Sequence, residues 1–283
     1  MTHTLDTRTT VLLLLPVSIL MLVFFVWPLA LVGWNSFYNA TSGAVSLSAY
    51  YSLSTSTLFY RVLANTLQIS CVATLSSLVL GYIIALHLAG MDARRRAPYM
   101  ILVMLPFWTS ILVKSFAFTV VLGDRGLVNQ AIGWLSAPLG PALHLEMLFN
   151  RVGVIIGMSN YLLPFMVFPI LASLLAQNAS LRRVAEIMGA GPVRIFLRIT
   201  LPLSLPGVLA GVLMSMTLAM GMYITPALLG GRRDMMMANL VDFYTRQTLD
   251  WNLASAIAFV LLALSALLIG ALMRVQRNRA LFQ

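Results

Sequence analysis

The chain has 283 residues, of which 60% are hydrophobic and 9% charged. A soluble globular domain carries roughly 25% charged residues, so the composition excludes one and requires an integral membrane protein. The net charge of +10 could suit a nucleic-acid binder, but the charges lie between hydrophobic runs and form no basic module, which argues for no nucleic acid and for the lipid bilayer as partner.

A helix needs about 20 apolar residues to cross a bilayer. Six runs qualify, at about 11–34, 63–88, 97–122, 152–177, 199–229 and 251–273. Backbone polar groups must be satisfied internally in lipid, so these runs are read as helices. The first exceeds the roughly 7–15 residues of a signal-peptide core and is taken as a permanent span. The second carries the single cysteine, Cys71, as a small apolar side chain, and ends at His87. The third contains Lys114, the only lysine. A charge at that depth is a candidate for function, unless it reaches out to the surface along its own stem.

Beyond the third span, Gly126–Leu135 places Leu127, Ala131, Ile132 and Leu135 on one side of a short amphipathic helix. Pro164 and Pro169, beside Asn160 and Tyr161, predict a kink in the fourth span. Pro202, Pro206 and Pro226 predict a tilted or broken fifth. The Met-rich stretch 230–250 is expected to be structured. Broken spans often line substrate paths, and aromatic faces can hold a passing cation. Trp108, Thr109, Tyr161, Tyr223 and Thr225 are therefore the candidate pathway lining, with ordinary packing as the competing reading. Gly153/Gly157 and Gly207/Gly211 have the spacing of close helix packing. No repeat and no soluble domain is visible, so 1–283 reads as a single transmembrane domain.

An N-terminus inside places eleven of the 18 Lys and Arg residues on the inner segments, among them Arg94, Arg95, Arg96, Arg182, Arg183, Arg194 and Arg198. This bias puts both termini in the cytoplasm. The same topology makes 179–198 a cytoplasmic loop. It starts as a helix with Arg183, Ala185 and Glu186, and breaks at Gly189-Ala190-Gly191-Pro192. It restarts as an amphipathic turn with Arg194 and Arg198, leading to Ile199 and Pro202. Glycines permit a sharp reversal, and Pro192 can open the next helical segment.

The spacing from Gly189 through nine residues to Ile199 and then Leu201-Pro202 resembles the coupling loop of ABC importer permeases. Asn65-Thr66-Leu67, Leu80-Gly81-Tyr82, Leu105-Pro-Phe-Trp108, Leu163-Pro-Phe-Met166, Leu201-Pro-Leu-Ser-Leu-Pro-Gly207, Tyr223-Ile-Thr-Pro-Ala-Leu-Leu-Gly-Gly231 and Trp251-Asn-Leu-Ala-Ser-Ala256 are similar to segments of the spermidine/putrescine type. The resemblance covers about 11–273 and implies an all-α type I (MetI-like) permease with six transmembrane helices in the bacterial inner membrane. It implies a cytoplasmic ABC ATPase dimer, a second permease subunit that is a different chain, and an extracytoplasmic substrate-binding protein as partners. Polyamines are the nearest substrate class, with iron, aminoethylphosphonate and opine-like compounds as alternatives. One departure stands out. The family's Glu-Ala-Ala begins six residues before the loop glycine, where this chain has Arg183, Val184 and Ala185. Glu186, one turn on, either replaces the lost carboxylate or pairs with Arg183.

No catalytic constellation is visible. The chain lacks a Gly-x4-Gly-Lys-Ser/Thr phosphate loop, so it is expected to bind no cofactor of its own and to leave ATP to its partners. His3, His87 and His144 lack metal-ligand spacing. An ion-gradient transporter would want coupling carboxylates within its spans, and there are none. A membrane scaffold would have no use for a glycine-broken loop.

Overall fold

The computed structural model describes residues 7–39, 43–136 and 145–280. Five stretches are long and apolar enough to cross a membrane: Leu14–Phe37, Thr57–Ala89, Arg151–Leu175, Pro192–Met220 and Trp251–Ala271. A sixth apolar run passes only as a bent pair of helices. Ala93–Trp108 and the segment from Ile111 meet at 96°.

In chain order the helices are α1 (Thr7–Met21), α2 (Trp27–Phe37), α3 (Ser48–Thr55), α4 (Thr57–Ala89), α5 (Ala93–Trp108), α6 (Ile111–Leu122) and α7 (Leu127–Ser136). They continue with α8 (Arg151–Leu175), α9 (Ala179–Ile187), α10 (Pro192–Ile195), α11 (Leu201–Met220), α12 (Ile224–Leu229), α13 (Met237–Arg246) and α14 (Trp251–Ala280). A two-residue hairpin pairs β1 (Tyr38–Asn39) with β2 (Ala44–Val45).

Two π-helical turns, Leu22–Val26 and Phe196–Thr200, join α1 to α2 and α10 to α11. In each the closing bond spans five residues, from Trp27 N–H to the Leu22 carbonyl and from Leu201 N–H to the Phe196 carbonyl. Pro28 and Pro202 follow directly. A proline ring crowds the carbonyl four residues back and donates nothing to it. A widened turn removes that conflict without ending the helix. Gln177 Nε2 donates to the Thr200 carbonyl at 3.0 Å.

The third span is not the straight helix expected over 97–122. Thr109 and Ser110 have extended backbone between α5 and α6. Thr109 Oγ1 caps the end of α5 at the carbonyls of Leu105 and Pro106. The pair still passes as one apolar run because the stretches on either side outweigh Pro106, Trp108, Thr109 and Ser110 in a span-length average. The fifth span breaks as expected, but at Gly221–Tyr223 rather than at a proline. Helix α8 continues as a single helix through Pro164 and Pro169.

The chain divides into two compact units, Met1–Phe59 with Leu240–Leu262 and Tyr60–Asn239 with Ala263–Gln283. In the first, Phe259 meets Phe37 edge-on at 6.3 Å, and Phe37 lies 5.2 Å from the Tyr50 ring. Asn252 Nδ2 donates to the carbonyls of Asn35 and Tyr38 at 2.8 and 3.0 Å. Residues 14–31 are exposed throughout, an apolar surface that water cannot solvate cheaply.

In the second unit α8 is the axis. Val154, Met158, Leu162, Met166, Val167 and Ile170 are wholly buried. Gly81 of α4 and Gly211 of α11 both abut Met166, and Gly207 abuts Pro169 and Ser173. The glycine spacing read in α11 is thus a packing stripe. Helix α7 forms where its pattern predicted. Val128 and Ile132 face the core, and Leu127, Trp134 and Leu135 remain exposed. The 230–250 stretch is structured by α13, with Met236 and Met237 fully buried.

A polar network ties the loop after α12 to the start of α8 and to α4. Arg151 donates from Nε to Asp234 Oδ1 (3.2 Å), from one terminal nitrogen to Gln68 Oε1 (2.9 Å) and from the other to Asn65 Oδ1 (2.7 Å). Asn65 Nδ2 donates to the Arg233 carbonyl at 2.6 Å. Thr66 Oγ1 accepts from Met237 N–H at 2.8 Å. Removing one partner of a buried pair costs about 3–5 kcal/mol, and less where one side is solvated. The Arg151 side chain is 40% exposed and that of Asp234 10%. Arg151→Ala should therefore destabilise the purified chain by about 2 kcal/mol. Adding Asp234→Asn should restore part of the loss, read as a double-mutant cycle on thermal unfolding. Full additivity would mean that the pair is not coupled.

Candidate coupling loop and membrane pathway

Helix α9 begins at Asn178, whose side chain accepts from Ser180 N–H at 2.9 Å. Leu181, Val184, Ile187 and Met188 recur at helical spacing and are all exposed, Ile187 at 86%. Burial normally selects such a stripe for the core. Here no element among the described residues covers it.

The helix ends on a left-handed residue. Gly189 has φ +79. Its N–H donates to the Glu186 carbonyl and Ala190 N–H donates to the Ala185 carbonyl, each at 3.0 Å. These paired bonds satisfy the last carbonyls and reverse the chain. Gly191 has φ −69 and serves as the N-cap of α10, with Pro192 at the first helical turn. The reversal thus rests on Gly189, not on both glycines. Ile195 anchors α10 by burial. Arg194 and Arg198 line a concavity with Gly189, Gly191, Val193 and Leu197. Ile199 lies in the π-helical turn and Pro202 in the first turn of α11. Arg183 is exposed.

Glu186 does not pair with Arg183. Its Oε1 accepts from Arg182 Nε at 3.0 Å, a pair four residues apart with both side chains more than half exposed. Separation by four aligns two long side chains along the helix axis. An exposed pair of this kind is worth only about 0.3–0.5 kcal/mol, so Glu186 is readily released to another partner.

The candidate lining residues do not form one cluster. Trp108 is 71% exposed and shares an apolar groove with Met100, Ile101, Met104 and Phe168. Thr109 caps α5. Tyr223 precedes α12, and its carbonyl accepts from Asn239 Nδ2 at 3.0 Å. Thr225 is buried, and its Oγ1 lies 3.5 Å from Ser115 Oγ on α6. Tyr161 is half-buried on α8 and lies 5.7 Å from Phe165, which in turn meets Phe107 edge-on at 5.7 Å. The aromatic that continues from Tyr161 is therefore Phe107, not Trp108. The one-turn spacing of Tyr161 and Phe165 was the available signal, but only the bend after α5 brings Phe107 against it. Lys114 does not extend outward. Its Nζ donates to the Pro106 carbonyl and lies 5.0 Å from the centre of the Tyr161 ring.

Residues 77–281 match the family of binding-protein-dependent transport system inner membrane components. The chain belongs to this family. As a member it is a permease subunit of an ABC importer, a multi-pass inner-membrane protein and not an enzyme. It is 30% identical over 220 residues to the spermidine/putrescine transport system permease protein PotB of Salmonella typhimurium, covering 78% of this chain and 76% of that one. It is 31% identical over 197 residues to a putative 2-aminoethylphosphonate transport system permease protein, PhnU, of Salmonella paratyphi A, covering 65% of this chain and 62% of that one. A solved bacterial alginate ABC transporter, in complex with an alginate pentasaccharide-bound periplasmic protein, contains a chain of the same fold. The TM-score is 0.78 over 94% of this chain and 93% of that one, at 19% identity. The fold is thus the type I, MetI-like one that the resemblance implied.

Proposed function

We propose that this permease subunit imports polyamines of the spermidine/putrescine class, driven by ATPase subunits that dock on α9. The observation that carries the docking is the exposed apolar stripe of α9, closed by the left-handed turn at Gly189 and rimmed by Arg194 and Arg198. An uncovered apolar face next to charge is the usual form of a protein contact site. The short helix lies on the arginine-rich side that the topology places in the cytoplasm, where ATP is available. A second permease subunit completes the path, and an extracytoplasmic binding protein delivers the solute. The substrate class rests on likeness to the spermidine/putrescine permease.

The test is reconstitution of the chain with its ATPase, permease and binding-protein partners in proteoliposomes. ATP-dependent uptake of labelled putrescine or spermidine is expected, with no ATP hydrolysis by this chain alone. If Glu186 meets a basic residue of the ATPase, Glu186→Lys should weaken assembly, and more so at low salt, where screening is least. Assembly and uptake unchanged by Glu186→Lys would show that Glu186 makes no contact with the ATPase. Failure of the chain to bind any ATPase would overturn the docking.

A further inference from the structure

We propose that the Pro106 carbonyl and the Tyr161 ring form a binding site for a primary alkylammonium, that Lys114 fills it in this conformation, and that an ammonium of the substrate replaces Lys114 during passage. The inference rests on the polyamine reading for the identity of the substrate, but the site itself stands on geometry.

Pro106 lies in the last turn of α5, where carbonyls lack intrahelical donors and the helix dipole presents its negative end. Lys114 Nζ donates to that carbonyl and sits over the Tyr161 ring at 5.0 Å. Thr109 Oγ1 donates to the same carbonyl at 3.2 Å. Phe165 and Phe107 extend the aromatic wall from Tyr161. The helices that build this region, α5, α6, α8 and α12, contain no Asp or Glu. Among the described residues no carboxylate pairs with Lys114, and its ammonium is held by a carbonyl dipole and a π face. Such a pair recognises a cation that also carries an N–H donor.

Lys114 is a primary ammonium on a four-carbon stem, the chemistry of one end of a linear diamine. Its positive charge repels a second cation at low dielectric, so it must leave before a substrate ammonium can enter. Exchange of like for like keeps one charge at the site. While Lys114 remains, the site is closed to other cations.

The test uses the assembled transporter in detergent. Lys114→Ala should vacate the site, and n-butylammonium should then raise its thermal midpoint while leaving the wild type unmoved. Tetramethylammonium, which keeps the charge but has no N–H, should have no such effect. In Lys114→Ala/Tyr161→Leu the affinity for n-butylammonium should drop about tenfold. No shift with n-butylammonium, an equal shift with tetramethylammonium, or full retention in the double variant would each overturn the site. If Lys114→Ala does not assemble, Lys114→Met keeps the length without the charge. Its uptake should be inhibited by n-butylammonium at lower concentration than the wild type's, and equal sensitivity of both would overturn the proposal. A transporter that shows the n-butylammonium shift but does not carry putrescine or spermidine would sink the substrate reading and leave the site standing.

Discussion

Gly189→Val is expected to leave insertion and folding intact and to abolish ATP-driven uptake. Gly189 holds φ +79, and an L-residue in the left-handed region costs about 1–2 kcal/mol, with β-branched side chains tolerated least. A Cβ at this position meets nothing within 4 Å, so the penalty is purely one of backbone conformation. The chain escapes it by abandoning the turn, which releases the carbonyls of Ala185 and Glu186 and re-aims α9. No described side chain of α9 is buried, so thermal unfolding should barely change. The docking face would point elsewhere. Two controls isolate the cause. Gly189→Asn tolerates the left-handed region and should keep most uptake. Gly191→Ala keeps an ordinary φ with open space around it and should not disturb folding or the turn. Stimulation of the ATPase in proteoliposomes is the readout. Normal uptake by Gly189→Val would remove the coupling role from this loop.

Gly207→Leu is expected to prevent accumulation of folded protein. Here the constraint is space rather than φ. A Cβ on Gly207 would overlap the Pro169 carbonyl oxygen and come within 2.6 Å of Ser173 Cβ. Both belong to α8, the buried axis of its unit, and a carbonyl of a helix cannot swing aside as a flexible side chain can. Overpacking by a few methylenes costs about 1–3 kcal/mol and sometimes more. Even Gly207→Ala should lower the thermal midpoint, and leucine should force α11 away from α8. Gly270 is the counter-case in α14, where a Cβ meets nothing within 4 Å. Gly270→Ala should match the wild type in membrane abundance and unfolding. Equal stability of Gly207→Leu and wild type would mean that α8 and α11 do not pack as closely as described.

The membrane class, the six hydrophobic runs, the inward bias of arginine and the broken loop at Gly189 were all legible in the residues. Each is written locally. Hydropathy sums over neighbours in sequence, topology follows from where charges interrupt those runs, and a helix terminus is specified by a few residues around one glycine. What escaped depends on residues far apart in the chain. The bend at Thr109-Ser110 is lost in a span-length hydropathy average, because the apolar runs on either side outweigh the few polar residues at the break. Glu186 had two arginines within reach, and rotamer geometry chose Arg182. Gly207 announced close packing, but only the approach of α8 shows which carbonyl it accommodates. Asn65, Arg151 and Asp234 are far apart in sequence and meet only because α4, α8 and the loop after α12 end together. Lys114 was visible as an odd charge in a span. Its partners, a carbonyl eight residues back and a ring on another helix, exist only once α5 ends short and α6 turns back against α8.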